Sequence, residues 1–381
     1  MLISLTHQFN AAPVLWNGDS DDTLICREIR QETADVKTFV LGSPQPRLFR
    51  YAPGQFITLE LDIAGQTINR CYTLSSTPTR PDQVSITVKR VPGGIVSNWL
   101  HDNLTVGSNL RVLGPAGEFS CFLHPMPPKQ KYLFLSAGSG ITPLMSMARA
   151  AHDLVLDANI VFMHSARTPG DIIFARELEL MAFNRPQFQL GLVCERRGNQ
   201  PMWAGFNGFL THAILHNVAP DFMDRHVYTC GPAPYMAAVR ALLQTAGFTM
   251  ANYHEESFSF ETLQADQADI GALLNLPELA QSETAIALTS HVSTSQFNIE
   301  FTRTGYQVAC SADQTILSAA RAAGLRLPTS CTQGLCGTCK TKMVSGQVEM
   351  KHAGGIRQRE IDQGWILPCC SKPLSDVVLE K

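Results

Sequence analysis

Four cysteines near the C-terminal end have the spacing of a metal site. Cys331, Cys336 and Cys339 form a Cys-x4-Cys-x2-Cys run, and Cys369 follows after 29 intervening residues. Three thiolates from one tight loop and a fourth from further on can hold the two ferric ions and two sulfides of a 2Fe–2S cluster. Gly334 and Gly337 let that loop wrap closely and aim backbone N–H groups at the sulfurs. A structural zinc site usually pairs two short Cys-x2-Cys knuckles, which this spacing does not provide. Cys370 directly follows Cys369, and only one of the two can easily face a cluster. The spacing favours Cys369. Such a centre carries one electron, so another part of the chain must fill it.

Two upstream segments suit a flavin. In Arg70-Cys71-Tyr72-Thr73-Leu74-Ser75-Ser76, a guanidinium fork matches phosphate oxygens. Strand alternation sets Arg70 and Tyr72 on one side. Tyr72 can then lie against an isoalloxazine ring, and Thr73 can donate to its N5 or O4; Cys71 belongs to the same run. An ordinary strand with an exposed Arg and a packed Tyr would explain this segment taken alone. The second segment, Lys89 to Leu100, ends a strand in Gly93-Gly94 and starts a helix near Val96, with Ser97 adding a hydroxyl. Free N–H groups at a helix N-terminus attract anions. Two phosphate elements in one small region strengthen each other.

A nucleotide-binding pattern follows. The apolar run Tyr132–Ser136 leads into Ala137-Gly138-Ser139-Gly140-Ile141-Thr142-Pro143 and then a Met-rich helix. This is a strand–glycine–helix turn without the third glycine of the full fingerprint; Pro143 suits the first helical turn. Gly138, Gly140, Thr142 and Pro143 are candidate dinucleotide contacts. Cys230-Gly231-Pro232 ends a later strand, where ligands of an open α/β sheet lie. A free cysteine is commonly a small buried hydrophobe; its position here favours a place beside a nicotinamide, without a nucleophilic role. Arg167 could pair a 2′-phosphate and Asp171 could favour an unphosphorylated ribose, leaving NADH or NADPH open with a preference for NADH. Glu255, Glu256 and Phe258, in Tyr253-His254-Glu255-Glu256-Ser257-Phe258, are candidates near a flavin edge.

The elements that must position these residues fall into three patterns. Residues 23–125 contain six β-rich runs separated by Gly, Pro and Asp turns, with a helix at 95–102, and predict a small antiparallel β-barrel. Residues 126–260 alternate strand and helix and predict a Rossmann-like α/β domain with a parallel sheet. Residues 261–294 read as a linker. Residues 295–381 predict an α+β, β-grasp unit with a hairpin at 297–302 and 306–310 and a helix at 316–323. Residues 1–22 read as an irregular arm. The multidomain reading agrees with 381 residues, 45% hydrophobic and 17% charged.

A net charge of −3 gives no case for nucleic acid. No apolar run is long enough for a membrane span. Met1–Ser20 has no Lys or Arg, which argues against a secretory signal, and eleven scattered cysteines in so long a chain do not make a disulfide scaffold. A reducing cytoplasm is the simplest location.

Taken together, these motifs resemble the ferredoxin–NADP reductase superfamily with a C-terminal plant-type ferredoxin domain. Arg70-Cys71-Tyr72-Thr73 is similar to its Arg-x-Tyr-Ser/Thr flavin motif, Gly138 to Pro143 to its nucleotide loop, and Cys230-Gly231-Pro232 to its Cys-Gly-Pro motif. The resemblance implies FAD, NADH or NADPH, and a 2Fe–2S cluster. It also implies an electron-transfer role in which Tyr72, Thr73, Cys230 and Glu256 tune geometry and charge. Two subgroups are close: reductase components that feed a Rieske-type oxygenase, glycine betaine monooxygenase among them, and reductases of hybrid-cluster protein. Gly355–Asp362 and Leu367–Pro373 lean to the first. A redox sensor without sustained turnover, and an oxidase needing no partner, are the rival classes. Lys340, Lys342, Arg357 and Arg359 could meet an acidic partner, though a solvated face commonly explains such charges.

Overall fold

Short runs of alternating apolar residues build the first sheet. In the computed structural model, which describes residues 14–18, 21–123, 129–199, 202–257, 296–325, 327, 334, 336–352 and 355–381, they form β1 (Thr23–Thr33), β2 (Val36–Gly42), β3 (Phe56–Ile63), β4 (Gln66–Thr73), β5 (Val84–Lys89) and β6 (Asn109–Ala116), with α1 (Ile95–Asn103) before β6. The antiparallel order is β4-β3-β6-β1-β2-β5. A bridge between Leu74 and Ile86, beside Ser75 N donating to Ser85 O at 2.8 Å, joins the edge strands into a barrel. Leu24, Phe39, Leu41, Leu59, Leu74, Ile86 and Leu100 fill it, each contributing roughly 1.5–3 kcal/mol by leaving water.

β4 starts at Gln66 because Ala64 and Gly65, at φ 53° and 75°, make a two-residue hairpin turn. The arm is not wholly irregular. Trp16 packs on Phe49 at 5.3 Å and Leu15 bridges Leu48, because an aromatic ring gains by burial.

The second sheet has β7 (Gln130–Ala137), β8 (Ala158–Ala166), β9 (Phe188–Cys194), β10 (Phe206–Asn207), β11 (His226–Gly231) and β12 (Tyr253–Ser257). All pairs are parallel, in the order β10-β9-β8-β7-β11-β12. The helices are α2 (Ile141–Asp153), α3 (Ala175–Asn184), α4 (His212–Val218) and α5 (Ala233–Thr245). Phe134, Phe162 and Tyr228 face Leu144 and Met145 of α2. Leu135, Val161 and Val227 face Leu215 of α4 and Val239 and Leu243 of α5. Both faces are covered, as a parallel sheet requires. The chain leaves β7 for β8 on one side and returns to β11 on the other, so the carboxyl end of β7 is the switch point where ligands bind.

Barrel and α/β layer belong to one unit, Met1–Phe258. Ser146 Oγ donates to Ser76 O at 2.5 Å, Arg149 donates to Ser75 O, and Arg80 and Thr79 grip Asp153 at 2.9 and 2.6 Å. The segment just after β4 is therefore fixed against α2.

The second unit, Ser259–Lys381, has β13 (Gln296–Phe301), β14 (Tyr306–Ser311), α6 (Ile316–Ala322), β15 (Thr341–Ser345), β16 (Val348–Met350), α7 (Gln358–Asp362), β17 (Trp365–Ile366), β18 (Ser371–Pro373) and β19 (Val377–Glu380). Its main sheet runs β14-β13-β19-β15-β17, and β16 pairs β18. β13 pairs antiparallel with β14 and parallel with β19. Ile299, Phe301, Ile316, Leu317 and Leu379 pack between sheet and helix. Among the described residues, no helix is long and apolar enough to cross a membrane.

Candidate functional site

On the barrel, β3–β4 pairing sets Leu59 opposite Arg70, Thr58 opposite Cys71 and Ile57 opposite Tyr72. Alternation puts Arg70 and Tyr72 on one face and Cys71 on the other, where its Sγ meets Thr58 Oγ1 at 3.4 Å. Arg70 Nε is buried with no hydrogen-bond partner among the described residues. A buried guanidinium donor left unmade is costly, and an anionic oxygen is what it lacks. Thr73 ends the strand, buried.

Four other barrel candidates are already engaged. Lys89 Nζ lies 3.4 Å from Asp35. Val96 packs its side chain in the barrel core, so its backbone N–H is the group left to face a ligand. Ser97 Oγ accepts from Val91 N at 3.2 Å, and a side chain at Gly94 would strike that Oγ at 2.6 Å. The Gly93–Gly94 turn is thus closed onto the first turn of α1.

The nucleotide turn is made by close backbone approach. Gly138 has φ 52°. A Cβ at Gly140 would lie 2.3 Å from Cys230 O and 2.5 Å from Gly231 N. At Gly231, a Cβ would lie 3.1 Å from that of Ala137. The ends of β7 and β11 therefore touch through glycines, with no room for a side chain between them. Thr142 Oγ1 donates to Ser139 O at 3.1 Å, bracing the turn, and Pro143 is buried in α2. Pro232 is the residue that starts α5.

At the adenosine end, Arg167 is exposed. Asp171 Oδ2 accepts from Thr168 N and Oγ1 at 3.0 and 2.7 Å, so this carboxylate closes its own turn.

Strand register brings together residues that sequence spacing does not. His164 pairs with Ser136, Ser136 with Cys230 and Cys230 with Glu256. Paired residues of a parallel sheet project to the same face, so these four make a polar row across the strand ends. Burial, and then the Glu256 charge, push the Cys230 thiol well above its ordinary range, so it stays protonated. Burial raises the Glu256 carboxyl to about 8, and its Oε2 is buried without a partner among the described residues. His164 Nδ1 lies 2.8 Å from Ser136 Oγ, and burial lowers that imidazole to about 3. Ser136 and His164 were not among the sequence candidates; a histidine inside the apolar run Ile160–Met163 was the available signal.

In the second unit, Gly334 and Gly337 adopt φ 72° and 68°. Cys339 Sγ and Cys369 Sγ are 3.2 Å apart, two sulfurs placed for one metal ion. Cys370 Sγ lies 3.6 Å from Leu367 O and 2.7 Å from where a Gly334 side chain would begin. Cys336 is buried, with its Sγ 3.2 Å from Thr338 Oγ1. This donor set suits iron. Arg357 is 1% exposed, which corrects its assignment to a docking surface: a guanidinium packed inside cannot meet a partner. Cys331, Phe258 and the segment 261–294 lie outside the described residues.

Three family models match: an oxidoreductase FAD-binding domain over residues 24–121, an oxidoreductase NAD-binding domain over 134–241 and a 2Fe-2S iron-sulfur cluster binding domain over 299–374. The chain is 48% identical over 355 residues to the glycine betaine monooxygenase reductase subunit of Pseudomonas aeruginosa, covering 93% of this chain and 94% of that one. It is 40% identical to the stachydrine N-demethylase reductase subunit of Rhizobium meliloti, covering 94% and 96%. Phthalate dioxygenase reductase shares the fold at a TM-score of 0.51 and 23% identity, with 95% and 98% covered.

Proposed function

Because this chain belongs to the oxidoreductases that join FAD-binding, NAD-binding and 2Fe–2S domains in one polypeptide, as do the reductase subunits of glycine betaine monooxygenase, we propose that its electron acceptor is the Rieske-type oxygenase component of a glycine betaine monooxygenase. The observation that carries this reading is the 48% identity across nearly the full length of both chains.

The chain is an NADH-dependent oxidoreductase with FAD and a 2Fe–2S cluster as cofactors. Bound FAD would supply acceptance of a hydride from NADH and its release as two single electrons by way of the cluster. The protein's part is placement. We assign residues 23–125 to FAD, 126–260 to the nucleotide and 295–381 to the cluster, with 261–294 as linker. Arg70 holds the flavin pyrophosphate, Tyr72 lies on the ring and Thr73 donates to its edge. The N-terminus of α1, with Gly94, Val96 and Ser97, faces phosphate. Gly138, Gly140 and Gly231 admit the nucleotide; the close approach of the backbone at Gly140 and Gly231 and the positive φ of Gly138 support this. Cys230 acts as a compact neutral spacer beside the nicotinamide, and Glu256 as a carboxyl that is neutral near pH 7. Cys331, Cys336, Cys339 and Cys369 ligate iron. The cytoplasm, where thiols stay reduced, suits cysteines left free of disulfides among the described residues.

Anaerobic stopped-flow tests the acceptor. The NADH-reduced protein is mixed with purified glycine betaine oxygenase, or with hybrid-cluster protein, while cluster reoxidation is followed. Fast transfer to the oxygenase alone is expected. Transfer to hybrid-cluster protein alone would overturn the reading and leave fold and cofactors intact.

A further inference from the structure

We propose that a cationic rim beside the cluster loop, formed by Lys351, Arg359 and Lys372, docks an acidic surface of the electron-accepting protein. This rests on the cluster assignment above. Between residues 340 and 372 the chain carries Lys340, Lys342, Lys351, Arg357, Arg359 and Lys372 against Glu349, Glu360 and Asp362. Elsewhere in 296–381, Arg303, Arg321, Arg326 and Lys381 are matched by Glu300, Asp313, Asp376 and Glu380. The chain as a whole is at −3, and residues 258–295 contain Glu261, Asp266, Asp269, Glu278 and Glu283 with no Lys or Arg. The positive excess is therefore local to the stretch that surrounds the cluster ligands.

Burial separates the cations that hold the fold from those that face outward. Arg357 is inside, 3.5 Å from Glu360, and Lys340 reaches the same carboxylate at 2.7 Å with 14% of its side chain exposed. Lys342 lies over the Trp365 ring at 5.7 Å and donates to Gln363 O. The side chain of Lys351 is 79% exposed, Arg359 is exposed and Lys372 half-buried. The ion pair of Lys351 with Glu349, at 3.1 Å on the surface, is exposed to water and screened by salt, so it yields readily to a partner.

The rim lies against the cluster loop. Lys351 N donates to Cys370 O at 3.1 Å, and Gly355 N donates to Gly334 O at 2.8 Å. His352 Cα is 2.9 Å from where a Gly334 side chain would begin. Lys351 thus stands on one side of these contacts with Gly334 in the chain, and Arg359, on α7, on the other. An acidic partner steered to this rim would bring its acceptor to the cluster edge. Complementary charge of this kind raises encounter rates by roughly 10–1,000-fold and is screened by salt.

The test uses the full-length protein loaded with flavin and cluster, reduced by NADH, and two haem-protein probes of opposite charge: acidic cytochrome b5 and basic cytochrome c. Transfer to cytochrome b5 should slow as salt rises and drop about tenfold in K351E/R359E. Transfer to cytochrome c should not slow in either case, and NADH-driven reduction of the cluster, read by absorbance, should be unchanged. A cytochrome b5 rate that is indifferent to salt in the unaltered protein, or that is unchanged or faster in the variant, overturns the proposal. If the probes behave as expected while glycine betaine oxygenase stays oxidised, the rim stands and the choice of acceptor falls.

Discussion

The nucleotide turn and the cluster loop bind by opposite means. Around Gly140 the surface proposed for the nucleotide is backbone, and what matters is the absence of side chains: a Cβ there would sit 2.3 Å from Cys230 O. Around Cys339 the binding groups are side chains, and backbone glycines at φ 72° and 68° serve to aim them. A backbone cradle is specified by register between distant strands. A thiolate cage is specified largely by spacing along the chain. The first fails when something is added, the second when something is taken away.

The largest effect should come from taking away a ligand. Cys336→Ser should abolish reduction of any protein acceptor while leaving NADH-dependent reduction of a small dye. Loss of dye reduction in a folded, flavin-loaded variant would show that the two cradles are not separable. Next is the addition. Gly140→Ala should cost roughly 1–3 kcal/mol or more by overpacking, read as a lower Tm and a raised KM for NADH, with the cluster spectrum unchanged. Unaltered KM and Tm would mean that the contact with Cys230 has no bearing on the site.

Third is Arg70→Gln. Losing a charge-assisted contact worth about 1.5–3 kcal/mol should weaken FAD binding by roughly 10–150-fold, measured by flavin fluorescence on dilution. Normal FAD affinity would leave the orphaned Nε without a role. The smallest effect concerns Glu256. Burial raises its carboxyl to about 8, so it is neutral below that pH and charged above. A negative charge beside a flavin that is gaining electrons opposes reduction. The rate of NADH-dependent dye reduction should therefore fall through a pH near 8, and Glu256→Gln should flatten the profile. An identical inflection in the variant would assign the titration to another group.

The two cradles also differ in how legible they were. Cys-x4-Cys-x2-Cys with a distant fourth cysteine is a spacing that few sites share, so it pointed to iron and sulfide directly. Gly-x-Gly before a helix is common, and its weight came from lying after a strand. Arg70-x-Tyr72 gave the shared face by alternation, and the structure added what alternation cannot, a buried Nε without a partner. The start of β4 at Gln66 is poorly legible in the sequence because Ala64 adopts a left-handed conformation that its side chain disfavours, while only Gly65 signals the turn. Trp16 was read within an irregular arm because its burial depends on Phe49, more than thirty residues away.

By itself the sequence determined the three patterns of elements, the cluster spacing and the order of flavin, nucleotide and iron modules, since these follow from local periodicity and from ligand chemistry along a short stretch. Only the tertiary structure decided which groups meet. It set Cys369 Sγ 3.2 Å from Cys339 Sγ, buried Arg357 while leaving Lys351 and Arg359 outside, and drew His164, Ser136, Cys230 and Glu256 into one row. Those outcomes depend on strand register and burial, which arise from contacts between residues far apart in the chain and set both the protonation of Glu256 and the neutrality of Cys230.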